Sequence, residues 1–303
     1  MGVPNIPAAE VSLIMLWTEG VQRLGSDESA QIDVRALIEG ITGLSRSQCW
    51  LNPQQPIPQA QVEALRSAFA ARAQGQPVAY ILGYRDFWRH RFLVTADTLI
   101  PRAETEHLVE WACALLPPQQ PALVVDLGTG TGAIALSVLL ERPSITMLAI
   151  DRNAATLTVA RANAERLLPS PLQAQWLALQ GDWASALATA SVDLLLANPP
   201  YLRADDPHQQ QGDLRFEPAS ALLAGTDGLR DIQHIIQQAR RVLRPGGGLL
   251  FEHGYNQGQA VRELLAVSGF VQIETRRDYS GHERNTLGFW PKHDEKIAQI
   301  SPN

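Results

Sequence analysis

An apolar run, Ala122–Leu127, passes directly into the turn Gly128-Thr129-Gly130-Thr131-Gly132 and then into a helical pattern. A strand that ends in a glycine turn and opens a helix is the first unit of a parallel sheet. The chain beyond Pro121 keeps that alternation. Thr146–Asp151 reads as a second strand, followed by a helix to Leu168; a short strand precedes Asp182, and Val192–Ala197 is a fourth. A helix with Ile232, Ile235, Ile236 and Ala239 inward, the strand Leu249–Glu252, a helix to Ala266 and strands near Ile273 and Leu287 complete it. The expectation is a doubly wound α/β sheet with helices on both faces. Ligands of such sheets sit beyond the carboxyl ends of the strands, where Asp126, Asp151, Asp182 and Asn198 fall.

The residues before this region read differently. Leu13, Leu16, Trp17, Val21 and Leu24 form an apolar stripe ended by Gly25. Val34, Leu37, Ile38 and Ile41 form another, closed by Gly43, and Val62, Leu65 and Phe69 a third that stops near Gly75. Residues 1–80 are therefore expected to be a small helical bundle. From Tyr84 to Thr98 Phe87, Trp88, Phe92 and Val94 favour strands, with Arg89-His90-Arg91 as the polar tip of a β-hairpin and His90 solvated there. A helix with Leu108, Trp111, Ala112 and Leu115 on one face follows and breaks at Pro117–Pro121, so 81–120 reads as a hairpin-and-helix linker, 121–292 as the α/β domain and 293–303 as a frayed tail.

A length of 303 residues suits two domains. The formal charge of −6 supplies no field for nucleic acid or anionic lipid. Cys49 and Cys113 lack ligand spacing, so reduced thiols and no metal site are expected. No basic residue precedes the short apolar run Leu13–Trp17, so a secretory signal is not expected, and no segment approaches the roughly 20 apolar residues of a membrane span. A cytoplasmic monomer without direct nucleic-acid or membrane contact is the expectation.

By itself the glycine turn admits two ligands. Gly128, Gly130 and Ala133 also satisfy the dinucleotide fingerprint, with Asp151 at the interval suited to gripping a ribose. Asp126 favours the other reading. Two residues before Gly128, a carboxylate opposes a pyrophosphate but helps the sulfonium and ammonium of S-adenosylmethionine, directly or through water. Gly128, Thr129, Gly130, Thr131 and Gly132 would then pass under the methionine portion, where a Cβ would intrude. Asp151 would accept from the ribose diol, unless it is only the N-cap of the next helix. Asp182 and Trp183 would bound the adenine, unless Trp183 is ordinary core.

Asn198-Pro199-Pro200-Tyr201 follows the fourth strand. Neither proline can donate a backbone hydrogen bond and both are held near φ of about −65°. Such a stiff edge displays an amide side chain and free carbonyls, suited to holding a planar NH2 group by two acceptors with its nitrogen face open. With a nucleoside turn beside it, the edge points to methyl transfer onto an amide or exocyclic amine.

These residues resemble the release factor glutamine N(5)-methyltransferases, the HemK-type class I methyltransferases with a Rossmann-like sheet. The likeness runs from Gln76 to Trp290 through Gln76–Ile81, Leu99-Ile100-Pro101-Arg102, Asp126–Ala135, Gly181-Asp182-Trp183, Asn198–Tyr201, Arg215-Phe216-Glu217-Pro218 and Asp278-Tyr279-Ser280-Gly281. The N-terminal third matches loosely, in helix pattern and Asp33–Leu37. The resemblance implies that the acceptor is the glutamine of the Gly-Gly-Gln loop in class 1 peptide chain release factors. It assigns Asn198, Pro199 and Tyr201 to catalysis, Asn198–Tyr201 to the substrate and residues 1–80 to docking it. S-adenosylmethionine is the cofactor, with S-adenosylhomocysteine as product. Asn198 is expected to face the cofactor as well. Arg215, Glu217 and the polar stretch 203–213 would form a lid meeting the protein substrate, or a solvated loop.

Competing readings are a ribosomal-protein glutamine as acceptor, a nucleic-acid adenine N6 or guanine N2, and a nicotinamide oxidoreductase. The charge opposes the nucleic-acid reading, and the oxidoreductase leaves Asn198–Tyr201 without a task.

Overall fold

The computed structural model describes residues 10–207 and 212–292; the expected tail 293–303 and part of the stretch 203–213 lie outside the described residues. The chain divides into two compact units, Met1–Gly83 and Tyr84–Asn303.

The first unit is helical. Its elements are α1 (Leu13–Leu24), α2 (Glu28–Thr42), α3 (Arg46–Leu51), α4 (Gln59–Ala73) and α5 (Val78–Leu82). The three stripes meet in one core of Leu13, Leu16, Val34, Leu37, Ile38, Val62, Leu65 and Phe69. Burying each such side chain contributes about 1.5–3 kcal/mol. Gly20 of α1 faces α2 and α4 at close quarters: a Cβ there would stand 2.9 Å from both Phe69 Cζ and Val34 Cγ1. Asp27 caps α2 and Ser45 caps α3 with a full capping box, neither of which the apolar pattern announces. Arg72 near the end of α4 reaches Asp33 at 2.7 Å and the carbonyls of Gly75 and Gln76, closing α4 onto α2.

The second unit opens with the hairpin β1 (Tyr84–Phe87) and β2 (His90–Leu93). Its turn is Trp88-Arg89, with Trp88 at φ 55°, so the expected polar tip is one residue late. His90 is paired with Phe87 inside β2 and not solvated at the tip, and burial pushes its imidazole below the ordinary range. Phe87 and Phe92 pack with Leu108 and Trp111 of α6 (Glu106–Leu115), so hairpin and helix belong to the α/β core.

The α/β part runs β3 (Leu123–Leu127), α7 (Ala133–Glu141), β4 (Thr146–Asp151), α8 (Ala154–Leu167), α9 (Ser170–Gln173), β5 (Trp176–Gln180), β6 (Val192–Ala197), α10 (Ala219–Leu222), α11 (Arg230–Val242), β7 (Leu243–Glu252), α12 (Gly258–Val267), β8 (Val271–Arg277) and β9 (Glu283–Phe289). The seven strands order as β5-β4-β3-β6-β7-β9-β8. The first five are mutually parallel, and β9 is antiparallel to both β7 and β8. Strand order reverses at β3, between β4 and β6, and there the carboxyl ends open a crevice.

Alternation along the strands sorts the two faces. Val124, Met147, Leu194 and Leu250 face α6 and α7, whereas Val125, Ile150, Leu195 and Leu249 face α11 and α12. The first seven residues of α7 are all buried, as a helix covered on every side requires.

One buried polar side chain ties the hairpin to the glycine turn. Asn163 of α8 accepts from Leu93 N at 2.7 Å and donates to Leu93 O and Thr131 O, both at 3.0 Å. Removing it strands three backbone groups, one of them in the buried Asn163–Thr131 pair, each costing about 1–3 kcal/mol if unsatisfied. Asn163→Ala should therefore lower stability by about 3 kcal/mol or more in urea unfolding. A loss below about 1 kcal/mol would contradict the clamp.

Candidate active site

The glycine turn is built by left-handed backbone. Gly128, Gly130 and Gly132 have φ of 71°, 58° and 80°, a region that L side chains enter at a cost. That conformational demand accounts for the glycines before any ligand is considered. A Cβ on Gly128 would press on the Trp183 ring at 3.1 Å, whereas one on Gly130 would meet open space. The turn is anchored on β4: Gly128 N and Thr129 N donate to Ile150 O at 2.8 and 2.9 Å.

Asp151 ends β4 and faces the turn. Its carboxylate accepts from Gly130 N at 3.1 Å and from Asn153 N at 3.0 Å. The N-cap of α8 is Asn153, whose side chain accepts from Ala155 N at 2.9 Å. The capping alternative for Asp151 is thus overturned. Asp151 instead supports the glycine turn and borders a cleft, and burial moves its pKa upward.

Asp126 is placed otherwise than the sequence suggests. It lies fully buried beneath the turn and not in the cleft wall. Its Oδ2 accepts from Thr129 Oγ1 at 2.6 Å, while Oδ1 has no hydrogen-bond partner. Burial pushes its carboxyl up to about 7, with the Asp151 charge adding and the Thr129 hydroxyl opposing.

The cleft is walled by Asp97, Leu99, Gly128, Gly130, Asp151, Asn153, Asp182, Trp183, Asn198, Pro200 and Ala221. Gly128, Gly130, Asp151, Trp183 and Asn198 of the expected cofactor residues stand together there. Thr129, Thr131 and Gly132 form the turn's buried side and do not line it. Trp183 adopts a left-handed φ of 48°, packs on the core beneath and presents its ring to the Gly128 wall, so it is core and wall at once.

A second cleft adjoins the first. Leu99, Arg102, Asn198, Pro199, Tyr201, Leu202, Leu214, Ala221 and Leu222 line it. Leu99, Asn198 and Ala221 belong to both walls, so the two clefts meet at Asn198. Its side chain is held: Nδ2 donates to Thr105 Oγ1 at 3.1 Å. Burial pushes the Tyr201 phenol well above its ordinary range, aided by the Glu252 charge. Gln257 fixes the segment behind, donating to Tyr201 O at 3.2 Å and Gly228 O at 3.1 Å.

Glu217 does not face a substrate. It is buried, pairs with Arg102 and accepts from Ile100 N at 3.0 Å. The two motifs Leu99–Arg102 and Arg215–Pro218 are therefore one lock that positions Leu99 between the clefts. Arg215 lies over the Phe216 ring at 5.0 Å. Thr105, Gln257 and Glu252 escape sequence reasoning. A signal for Glu252 existed, because an acidic residue ends an apolar strand at the same sheet edge as Asn198. Among the described residues no group of three potential metal ligands occurs, and no helix is long and apolar enough to cross a membrane.

Comparison with known proteins bears on this arrangement. The PrmC N-terminal domain model matches residues 15–83 and the methyltransferase small domain model residues 112–229. Release factor glutamine methyltransferase of Escherichia coli (strain K12) is 43% identical over 270 residues, 89% of this chain and 96% of that protein. Its namesake in Pseudomonas aeruginosa is 46% identical over 268 residues, 88% and 95% of the two chains. That of Xylella fastidiosa (strain 9a5c) is 40% identical over 281 residues, 93% and 98%. The chain belongs to the release factor glutamine methyltransferase family. As a member of that family it is a methyltransferase with a class I, Rossmann-like fold, and the oxidoreductase reading falls. The first matched model ends at Gly83, where the helical unit of this chain also ends.

The buried Asp126 leaves a pH signature. Its carboxyl ionises near the usual 3.8 when unfolded and near 7 when folded, so folding takes up a proton in between. Stability from this group is present at low pH and declines as pH rises from about 4 to about 7. Asp126→Asn should flatten that decline in unfolding curves compared at acidic and alkaline pH. Parallel curves for the two proteins would contradict the assignment.

Proposed function

We propose that this chain transfers the methyl group of S-adenosylmethionine to the side-chain amide nitrogen of the glutamine in the Gly-Gly-Gln loop of class 1 peptide chain release factors. One observation carries the reading: a cleft bordered by a glycine turn and a strand-end aspartate meets a second cleft at the side chain of Asn198. The residues fit the cofactor. A buried carboxylate oxygen without a partner lies under the turn, where a cation above is favoured. Asp151 would hold the ribose and Trp183 the adenine, with Gly128 and Gly130 under the methionine portion and Asn198 at the join.

S-adenosylmethionine supplies an electrophilic methyl group on a sulfonium. The chain's task is the acceptor, since an amide nitrogen is a poor nucleophile with its lone pair delocalised into the carbonyl. Asn198 Nδ2 is committed to Thr105, which leaves Oδ1 to accept one N–H of the glutamine; the Pro199 carbonyl accepts the other. Held so, the nitrogen faces the first cleft, and positive charge developing on it is stabilised by both oxygens. Tyr201 packs against the acceptor side chain. The methylated amide loses its proton so readily that no dedicated base is needed.

The helical unit would dock the release factor. Its α3 buries no residue and exposes Trp50 and Leu51 beside a groove lined also by Ile14 and Trp17. A fragment starting at Tyr84 should keep cofactor affinity in calorimetry while losing methylation of folded release factor. Full activity of that fragment would refute the docking role. Asn198→Ala should lower kcat about 100-fold or more, the loss of a contact made as charge develops. Asn198→Asp should not restore it, because a carboxylate lacks the N–H that holds this side chain on Thr105. An Asn198→Ala enzyme with wild-type kcat would remove Asn198 from the chemistry.

A further inference from the structure

We propose that Glu252 is a positioning residue for methyl transfer: its ionised carboxylate, acting with Thr105, sets which end of the Asn198 amide faces the acceptor. The proposal rests on the amide-methylation reading above. Parallel register pairs Ala197 with Phe251, so Asn198 and Glu252 leave neighbouring strands side by side. Glu252 is 1% exposed, and its Oε2 has no partner. Thr105, also buried, takes the Asn198 Nδ2 hydrogen bond on its oxygen and keeps its own O–H to donate. The side chains of Thr105 and Asn198 both favour the ionised form of Glu252.

A carboxylate only accepts hydrogen bonds. Facing one, Asn198 turns its NH2 inward and leaves Oδ1 outward, where an acceptor N–H needs it. A protonated Glu252 offers an O–H to Oδ1 instead. An amide that rotates to take it presents NH2 to the substrate NH2, donor against donor. During transfer positive charge moves from sulfur to nitrogen, and a carboxylate behind Asn198 favours that movement. The other groups facing Glu252 are Arg284 from β9, which favours ionisation, Glu104 ahead of α6, which opposes it, and the Tyr201 hydroxyl. Asn285, opposite Glu252 across β7 and β9, is buried with both amide atoms unpartnered. Burial dominates and pushes the Glu252 carboxyl up to about 7, so the rate at saturating cofactor should fall as pH drops below that value.

The test measures kcat, KM for release factor and calorimetric cofactor affinity across pH for wild type, Glu252→Gln, Thr105→Val and Thr105→Ser. Glu252→Gln should lower kcat about 10- to 100-fold, as for a lost charge-assisted hydrogen bond, with KM and cofactor affinity little changed and the acid limb of kcat gone. Thr105→Val should also lower kcat, and Thr105→Ser, which keeps the hydroxyl, should restore it. This pair decides the matter if Glu252→Gln fails to fold. Wild-type kcat in Glu252→Gln or in Thr105→Val, or an acid limb of kcat that survives Glu252→Gln, overturns the proposal. An acid limb confined to cofactor affinity reports Asp126 and overturns it too. Infrared titration of the substrate-free protein separates the two readings, since it needs no acceptor. A protonated-carboxyl band absent from Glu252→Gln should disappear near pH 7 and shift in Thr105→Val. A band unmoved by Thr105→Val refutes the coupling. A wild-type enzyme that shows the coupling yet methylates no glutamine refutes only the functional reading.

Discussion

Everything at the site depends on the register of three adjacent parallel strands. Asp126 of β3 stands beside Leu196 of β6, Leu127 beside Ala197, and Ala197 beside Phe251 of β7. One residue beyond those pairs the strands deliver Gly128, Asn198 and Glu252 to a single edge. Slipping β6 by one residue would turn Asn198 to the opposite face and bury it against a helix layer. The apolar faces prevent that, since Val124, Leu194 and Leu250 fill one core while Val125, Leu195 and Leu249 fill the other. Packing energy thus fixes the position of polar groups that contribute little to it.

That edge holds charge at a cost. Asp126 and Glu252 are both essentially inaccessible, and burial holds both carboxyls near 7. Each has one oxygen without a partner. Unsatisfied buried carboxylate oxygens oppose folding, and their placement on opposite sides of the join between the two clefts suits a reaction in which positive charge crosses that join. Groups that destabilise the free protein are offset where a cation is bound or formed.

The sheet was legible because its signals are local and strong. A strand ending in Gly128–Gly132, and apolar runs ending in Asp151 and Asn198, follow from periodicity and turn chemistry. The helical stripes of Val34–Ile41 and Val62–Phe69 were equally plain. What stayed hidden depends on contacts distant in sequence. Asp126 looks like a cleft residue until the turn folds over it. Asp151 reads equally as ribose acceptor or helix cap until Asn153 is seen to take the cap. Glu217 reads as part of a lid until Arg102 pairs with it, and Thr105 has no pattern at all. Its hydroxyl matters only because the chain before α6 passes the end of β6.

Mass spectrometry of the release factor after incubation with the protein and S-adenosylmethionine tests the central claim most directly. One methyl group on the side-chain amide of the Gly-Gly-Gln glutamine is the predicted result, with none added when that glutamine is replaced by glutamate. A methyl group elsewhere on the factor, or continued transfer to the glutamate-bearing loop, would contradict the account.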